Sequence, residues 1–299
     1  MWLKDFKKDT MAISKVAIAI IIVVLLLAST FAAYVLVFNE DNSSVGTGDS
    51  ITVNYWGTVN IQGVDKVFDT SIWDVALDNE TYPKAAWFSM KTQASYSEFT
   101  FTVGRGQTIT GFDMGIKGMK EGDSRTIVVT PEQGYGVLDE TKIVTIDLNQ
   151  TVSVFMTTTK TAFNSTFGSV PSAGLTVTHP TYGWPVTVLS VNEETKVVEY
   201  QNVPTQGSQY KVFANSNEKI VSGWNITVNS VDTTVSEDGE IKFTHMVDEE
   251  DSWNIKGYVG TTMFILIDVD TAAGTARTNY NSPLAGLTLT FHVTLESIN

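Results

Sequence analysis

The sequence predicts a mainly β (α+β) body, and three observations predict it. After residue 38 the long polar stretches favour Val, Thr, Ile and Phe over Ala, Leu, Glu and Lys, the bias of side chains that suit a pleated, half-buried surface. The last run alternates strictly, with Leu287, Leu289, Phe291, Val293 and Leu295 on one face and Thr288, Thr290, His292 and Thr294 on the other. Shorter segments repeat the pattern: Ile51, Val53 and Tyr55 around Thr52 and Asn54, then Phe99, Phe101 and Val103 before Gly104-Arg105-Gly106.

Residues 16–38 read VAIAIIIVVLLLASTFAAYVLVF, and no charge falls between Lys15 and Glu40. A helix rising about 1.5 Å per residue crosses a ~30 Å hydrocarbon layer in about 20 residues, so a transmembrane helix is expected over 11–38. The run outlasts the apolar region of a cleaved signal peptide, about 7–15 residues, which favours a retained anchor. Lys4, Lys7, Lys8 and Lys15 precede it, while Glu40, Asp41 and Asp49 follow. That asymmetry makes 1–10 a cytoplasmic tail and puts the rest outside, as a single-pass protein of the cell membrane. Residues 39–47 read as a polar linker.

Net charge is −14; the first 38 residues contribute +2, leaving −16 on the remainder. Nucleic acid is excluded as a partner, because neutralising phosphates needs clustered Lys and Arg. There is no Cys, which removes disulfides, thiolate catalysis and zinc–thiolate sites. Asp248, Glu249, Glu250, Asp251, Asp268 and Asp270 fit no EF-hand spacing and read as solvated acidic turns. Neither a metal nor another cofactor is expected.

Further along, Phe68-Asp69-Thr70-Ser71 opens an aromatic-containing, helix-like stretch to about residue 97. Ile72, Trp73, Val75, Ala76, Trp87, Phe88 and Tyr96 mark it as packed. Phe112, Ile116 and Met119 share one face of a short helix. Glu121-Gly122-Asp123 turns the chain, Arg125 to Thr130 reads as a strand, and Pro131-Glu132-Gln133-Gly134-Tyr135-Gly136 ends it.

VNYWG at 53–57, FDTS at 68–71, FTFTVGRGQTITGFDMGIKGMKEGD at 99–123, PEQGYG at 131–136 and LTLTFHVTLESI at 287–298 occur in an order that resembles FKBP-type peptidyl-prolyl cis/trans isomerases. The resemblance implies a bent antiparallel sheet around a short helix, built from 48–138 and 281–299, with a ligand pocket between sheet and helix. Its walls would be Tyr55, Phe68, Phe99, Thr108, Ile109, Phe112, Tyr135 and Phe291. Phe112 would be the floor, the Tyr135 hydroxyl and Ile109 N–H would hold peptide carbonyls, and Asp69 would orient polar groups at the rim. Departures are Phe112 where Trp is frequent, Thr108 for an aliphatic residue, Gln107 for Glu, and a long 72–98 connection of the type best known from archaea.

Residues 139–280 resemble, at about twice the usual length, the flap insertion of SlyD-like members, which binds unfolded chains. Trp184–Val188, Lys196–Tyr200, Gly223–Val228, Glu240–Phe243 and Thr262–Ile267 are its expected strands, in two subdomains, about 139–205 and 206–280. The implied partners are proline-containing unfolded or nascent chains. The chemistry needs no nucleophile or metal: resonance in the X–Pro amide makes a barrier of about 18–20 kcal/mol, and an apolar site weakens that resonance. The rival readings are a membrane-tethered binding module with a vestigial pocket and a purely structural surface protein.

Overall fold

The alternation at the two ends of the body makes those runs the centre of a five-stranded antiparallel sheet. The computed structural model describes residues 26–27, 43–215 and 222–299. The apolar run 11–38 lies outside them, Leu26 and Leu27 excepted; among the described residues no helix is long and apolar enough to cross a membrane. β1 (Ser50–Ile61), β2 (Val64–Thr70), β3 (Phe99–Thr102), β4 (Ser124–Val129) and the last strand, β17 (Leu289–Ile298), form the sheet in the order β2-β1-β17-β4. Every second side chain of β17 from Leu289 to Leu295 is buried, as its alternation requires. The far edge of β1 is shared: Ser50–Val53 pair with β3 and Trp56–Ile61 with β2. In the gap the hydroxyls of Ser71 and Thr70 hold the backbone of Tyr55. Tyr55 N–H donates to Ser71 Oγ at 2.9 Å, and Thr70 Oγ1 donates to the Tyr55 carbonyl at 2.8 Å.

Two helices belong to this body: α1 (Trp73–Leu77) in the 72–98 connection, and α2 (Thr110–Gly115), which lies on β4. Gly111 and Gly115 are four apart and so face the same way. A Cβ on Gly111 would sit 2.5 Å from Val129, and one on Gly115 closer still to Ile127. Gly115→Ala should therefore push α2 off the sheet and cost about 1–3 kcal/mol, the usual penalty for overpacking, read by denaturant unfolding. Arg125 closes the helix end, donating from Nη1 to the carbonyls of Gly115 at 2.7 Å and Lys117 at 2.9 Å. The connection packs Val75, Ala76 and Phe88 against Val67.

The linker expected over 39–47 is not wholly free of the body. Val45 is 3% exposed within the core, and its N–H and carbonyl bond Met119 and Gly118. The body thus begins earlier than residue 48, on backbone bonds that leave no mark in a polar sequence.

The insertion carries β5 (Ile143–Asp147), β6 (Asn149–Val152), β7 (Phe155–Thr159), α3 (Lys160–Phe167), β8 (Thr176–Thr178), β9 (Pro185–Val191) and β10 (Val197–Asn202). It continues with β11 (Gln209–Val212), β12 (Trp224–Asp232), β13 (Glu240–His245), β14 (Lys256–Val259), β15 (Thr262–Asp270) and β16 (Thr275–Asn279). These make three four-stranded sheets, β7-β10-β9-β8, β11-β12-β13-β6 and β14-β15-β16-β5. The division into subdomains near residue 205 needs correction. β6 pairs with β13 and β5 with β16, and a single apolar cluster takes Phe163 and Trp184 from one half and Trp224, Phe243 and Phe264 from the other. Separate halves would each expose one face of their sheets, and sharing the core removes that cost.

The insertion meets the first body at two places. At the neck, Gly286 N–H donates to the Gly136 carbonyl at 2.8 Å, and buried Asn281 bonds the Asp139 backbone through both its amide oxygen and its amide nitrogen. On the other side Trp253, held at φ 62°, packs against the first core with its ring 6.4 Å from that of Trp87, and Lys66 donates to Asn254.

Candidate functional site

All nine residues singled out in the sequence, Tyr55, Phe68, Asp69, Phe99, Thr108, Ile109, Phe112, Tyr135 and Phe291, line one cavity of about 220 Å³, together with Gln107. β1 supplies Tyr55, β2 supplies Phe68 and Asp69, β3 supplies Phe99 and β17 supplies Phe291. Gln107 to Ile109 lead into α2, where Ile109 is the last extended residue (φ −65°, ψ 147°). Phe112 projects from the first turn of α2 into the sheet and is 3% exposed. The two glycines that let α2 touch β4 are what bring it so deep.

The rings make a cup. Phe112 meets Phe291 edge to face at 5.0 Å and 70°, and Tyr55 at 6.0 Å and 66°. Phe68 stands perpendicular to Phe291 at 5.5 Å, and Tyr55 meets Phe99 at 6.1 Å. Such edge-on pairs fix ring positions better than stacked sandwiches do. Gly57, opposite Phe291 in the β1–β17 register, leaves the space for this: a Cβ there would lie 2.5 Å from the tip of Phe68 and 3.0 Å from Phe291.

Polar groups sit at the rim. Tyr55 donates its hydroxyl to Asp69 Oδ2 at 2.7 Å, and Lys91 lies 3.7 Å from Asp69 Oδ1. Tyr135, in the turn after Pro131, is 46% exposed at the mouth. Burial, and then the charge of Asp69, raise both phenols above the ordinary tyrosine range. Two contributions escaped the sequence reading. Gln107, noted there only as a departure, accepts the Thr102 N–H at 2.7 Å and ties β3 to the cavity wall. Ser71 and Thr70 set the height of Tyr55; the FDTS motif carried that signal, since a hydroxyl beside a strand gap has an unpaired backbone group within reach. Thr108 Oγ1 is buried on the wall without a hydrogen-bond partner.

The raised phenols set a pH expectation. Because burial and Asp69 disfavour the phenolates, Tyr55 and Tyr135 both stay protonated donors up to about pH 10, and no His lines the cavity. Any reaction relying on those hydroxyls should run at a constant rate from about pH 6 to about pH 10; a titration step near neutrality would place the essential group elsewhere.

Residues 41–155 match the family described as FKBP-type peptidyl-prolyl cis-trans isomerase. β17, displaced by the insertion, falls outside that span, although it supplies Phe291. The short-type peptidyl-prolyl cis-trans isomerase of Methanocaldococcus jannaschii is 37% identical over 93 residues, 31% of this chain and 52% of that protein. Peptidyl-prolyl cis-trans isomerase FKBP53 of Arabidopsis thaliana is 31% identical over 90 residues, covering 30% of this chain and 14% of its own length. FK506-binding protein 2B of Rhizopus delemar is 33% identical over 91 residues, 30% and 32% of the two chains. The chain thus spans about half the length of the first of these relatives and less of the other two.

Proposed function

We propose that this chain is a membrane-anchored isomerase of the FKBP type assisting the folding of extracytoplasmic proteins, with proline-containing unfolded or nascent chains as substrates; the family match over 41–155 supports the reading. The observation that carries the reading is the cup of five rings around one small cavity with a phenol at its mouth. A prolyl ring entering it leaves water and rests on Phe112. Tyr135 and the Ile109 N–H hold the flanking carbonyls. In water the amide's charge-separated resonance form is solvated; among rings it is not, so the C–N bond loses double-bond character and rotates more easily. Asp69 anchors the Tyr55 hydroxyl and keeps that wall in place.

The anchor rests on the uncharged run 16–38 and its flanking lysines, which orient residues 39–299 outward. The insertion beside the pocket, joined at Gly136 and Gly286, serves as the holder of unfolded chains.

The test is turnover of a proline tetrapeptide by the full chain in detergent micelles, followed as cis/trans exchange. Tyr135→Phe should retain the fold and lose about two- to tenfold in kcat/KM, the worth of one hydrogen bond of about 0.5–1.5 kcal/mol. In cells the full-length chain should stay in the membrane fraction at high salt, with its body digested by external protease. Absence of turnover by the folded wild-type chain would leave a binding module.

A further inference from the structure

A second cleft, of about 370 Å³, opens where the 72–98 connection meets the insertion. Its floor is apolar, from Ala85, Phe88 and Met90. Its polar groups are Asn79 and Lys84 from the connection and Lys256 and Asn254 from the insertion; no Asp or Glu lines it. Lys66 joins the group from β2 by donating to Asn254. Two lysines thus line the cleft and a third, Lys66, is tied to its Asn254, in a body whose net charge is −16.

Neither Lys66 nor Lys84 has a carboxylate within ion-pair distance among the described residues. Lys84 donates to the carbonyls of Asp78, at 2.8 Å, and Tyr82. Asp78 is the acidic residue nearest in effect, but its carboxylate accepts the N–H groups of Glu80 and Thr81. Burial lowers the pKa of both lysines, and at Lys84 the charge of Asp78 offsets part of that effect. An incoming carboxylate would add counter-charge to the cleft, and an apolar neighbour would cover the floor.

The cleft also lies next to the aromatic cavity. Val67 of β2 is buried with Ala76 and Phe88 on the cleft side, while the following residue, Phe68, belongs to the cavity. Met90 lines the cleft and Lys91 pairs with Asp69 at the cavity rim.

We propose that this cleft is a second subsite for the client chain, taking an apolar side chain with an adjacent carboxylate while the client's proline occupies the aromatic cavity. The proposal rests on the isomerase reading above. Two-point attachment raises the effective concentration of the prolyl bond without a new contact at the reacting amide. The bridging of connection and insertion by one ligand gives the insertion a share in substrate choice.

The experiment uses the full chain in micelles and three peptides: a proline tetrapeptide, and two dodecapeptides around the same proline, one with Leu-Glu pairs on either side and one with Leu-Gln. Calorimetry should give about tenfold tighter binding of the Glu peptide, and assays a correspondingly lower KM with equal kcat. Lys84→Gln should erase the preference. Ala86→Glu, which puts a carboxylate into the partly exposed lining, should reverse it, and both variants should turn over the tetrapeptide as the wild type does. Equal affinity for the two dodecapeptides, or a preference untouched in both folded variants, overturns the subsite. Loss of tetrapeptide turnover in the wild type would instead overturn the isomerase reading, and the binding comparison would still decide the cleft.

Discussion

A Phe112→Ala protein is expected to lose about a hundredfold or more in kcat/KM on a proline tetrapeptide. Phe112 touches Tyr55, Phe101 and Phe291 and forms the base of the cavity, so truncation removes the surface on which a prolyl ring would rest and admits water to it. Two effects then add: the amide regains a solvated resonance form, and the ring loses its position. Each factor of ten in rate corresponds to about 1.4 kcal/mol. Burial of this side chain also stabilises the fold, and Phe→Ala in a core costs about 3–5 kcal/mol. Phe112→Leu separates the two effects. It fills most of the volume, should cost less stability, and should still be much slower because a flat ring is missing. Full activity in a folded Phe112→Ala protein would put the reacting proline elsewhere.

Replacing residues 140–280 by a short loop is expected to leave tetrapeptide turnover within about tenfold while sharply reducing catalysis of proline-limited protein refolding and the suppression of aggregation. The cavity takes no side chain from 140–280, which is why the peptide reaction should survive. The protein reaction should not, because holding a chain beside the pocket is what raises the concentration of each prolyl bond. The structure adds a condition to this comparison. Trp253 covers part of the first core next to Trp87, so the deletion uncovers apolar surface and costs stability. Both assays therefore belong well below the unfolding temperature of the shortened chain. Equal proportional loss in the two assays, with the core folded, would mean that the insertion only props the pocket.

What the sequence revealed depended on the range of the signal. β17 and β1 were legible because alternation is local and one face is buried. Phe112, Ile116 and Met119 were legible as one helix face, and the nine cavity residues through the order of five short motifs. The expected insertion strands correspond to β9, β10, β12, β13 and β15. The others are short and some are rich in Thr, such as FMTTT in β7 and TVT in β8, and on a half-exposed sheet such runs carry little hydrophobic contrast. α3 did leave a signal that went unread: Thr159 accepts the Ala162 N–H through its hydroxyl, and Gly168 ends the helix at φ 63°. The shared core of the insertion was beyond local reading, because β6 meets β13 and β5 meets β16 only through the tertiary fold. Docking of Val45 was likewise invisible, since backbone bonds to Gly118 and Met119 have no side-chain pattern.

The pairing of β1 with β17, Ile51 opposite Ile298, has a consequence for the order in which this chain acquires its shape. A central strand of the first body, β17, follows the whole insertion in the chain and is synthesised after it. Joining two distant segments costs conformational entropy that grows with the logarithm of the intervening length. The cost shrinks if the intervening chain has already condensed, and the insertion, with a core of its own and its two ends joined by Asn281 and the Asp139 backbone, is able to condense first. β17 would then be delivered to its slot between β1 and β4 by a preassembled neck. Phe291 arrives with it, so the ring cup stays open until the final strand docks. The cavity is thus completed only when β17 brings Phe291 to the rings already in place.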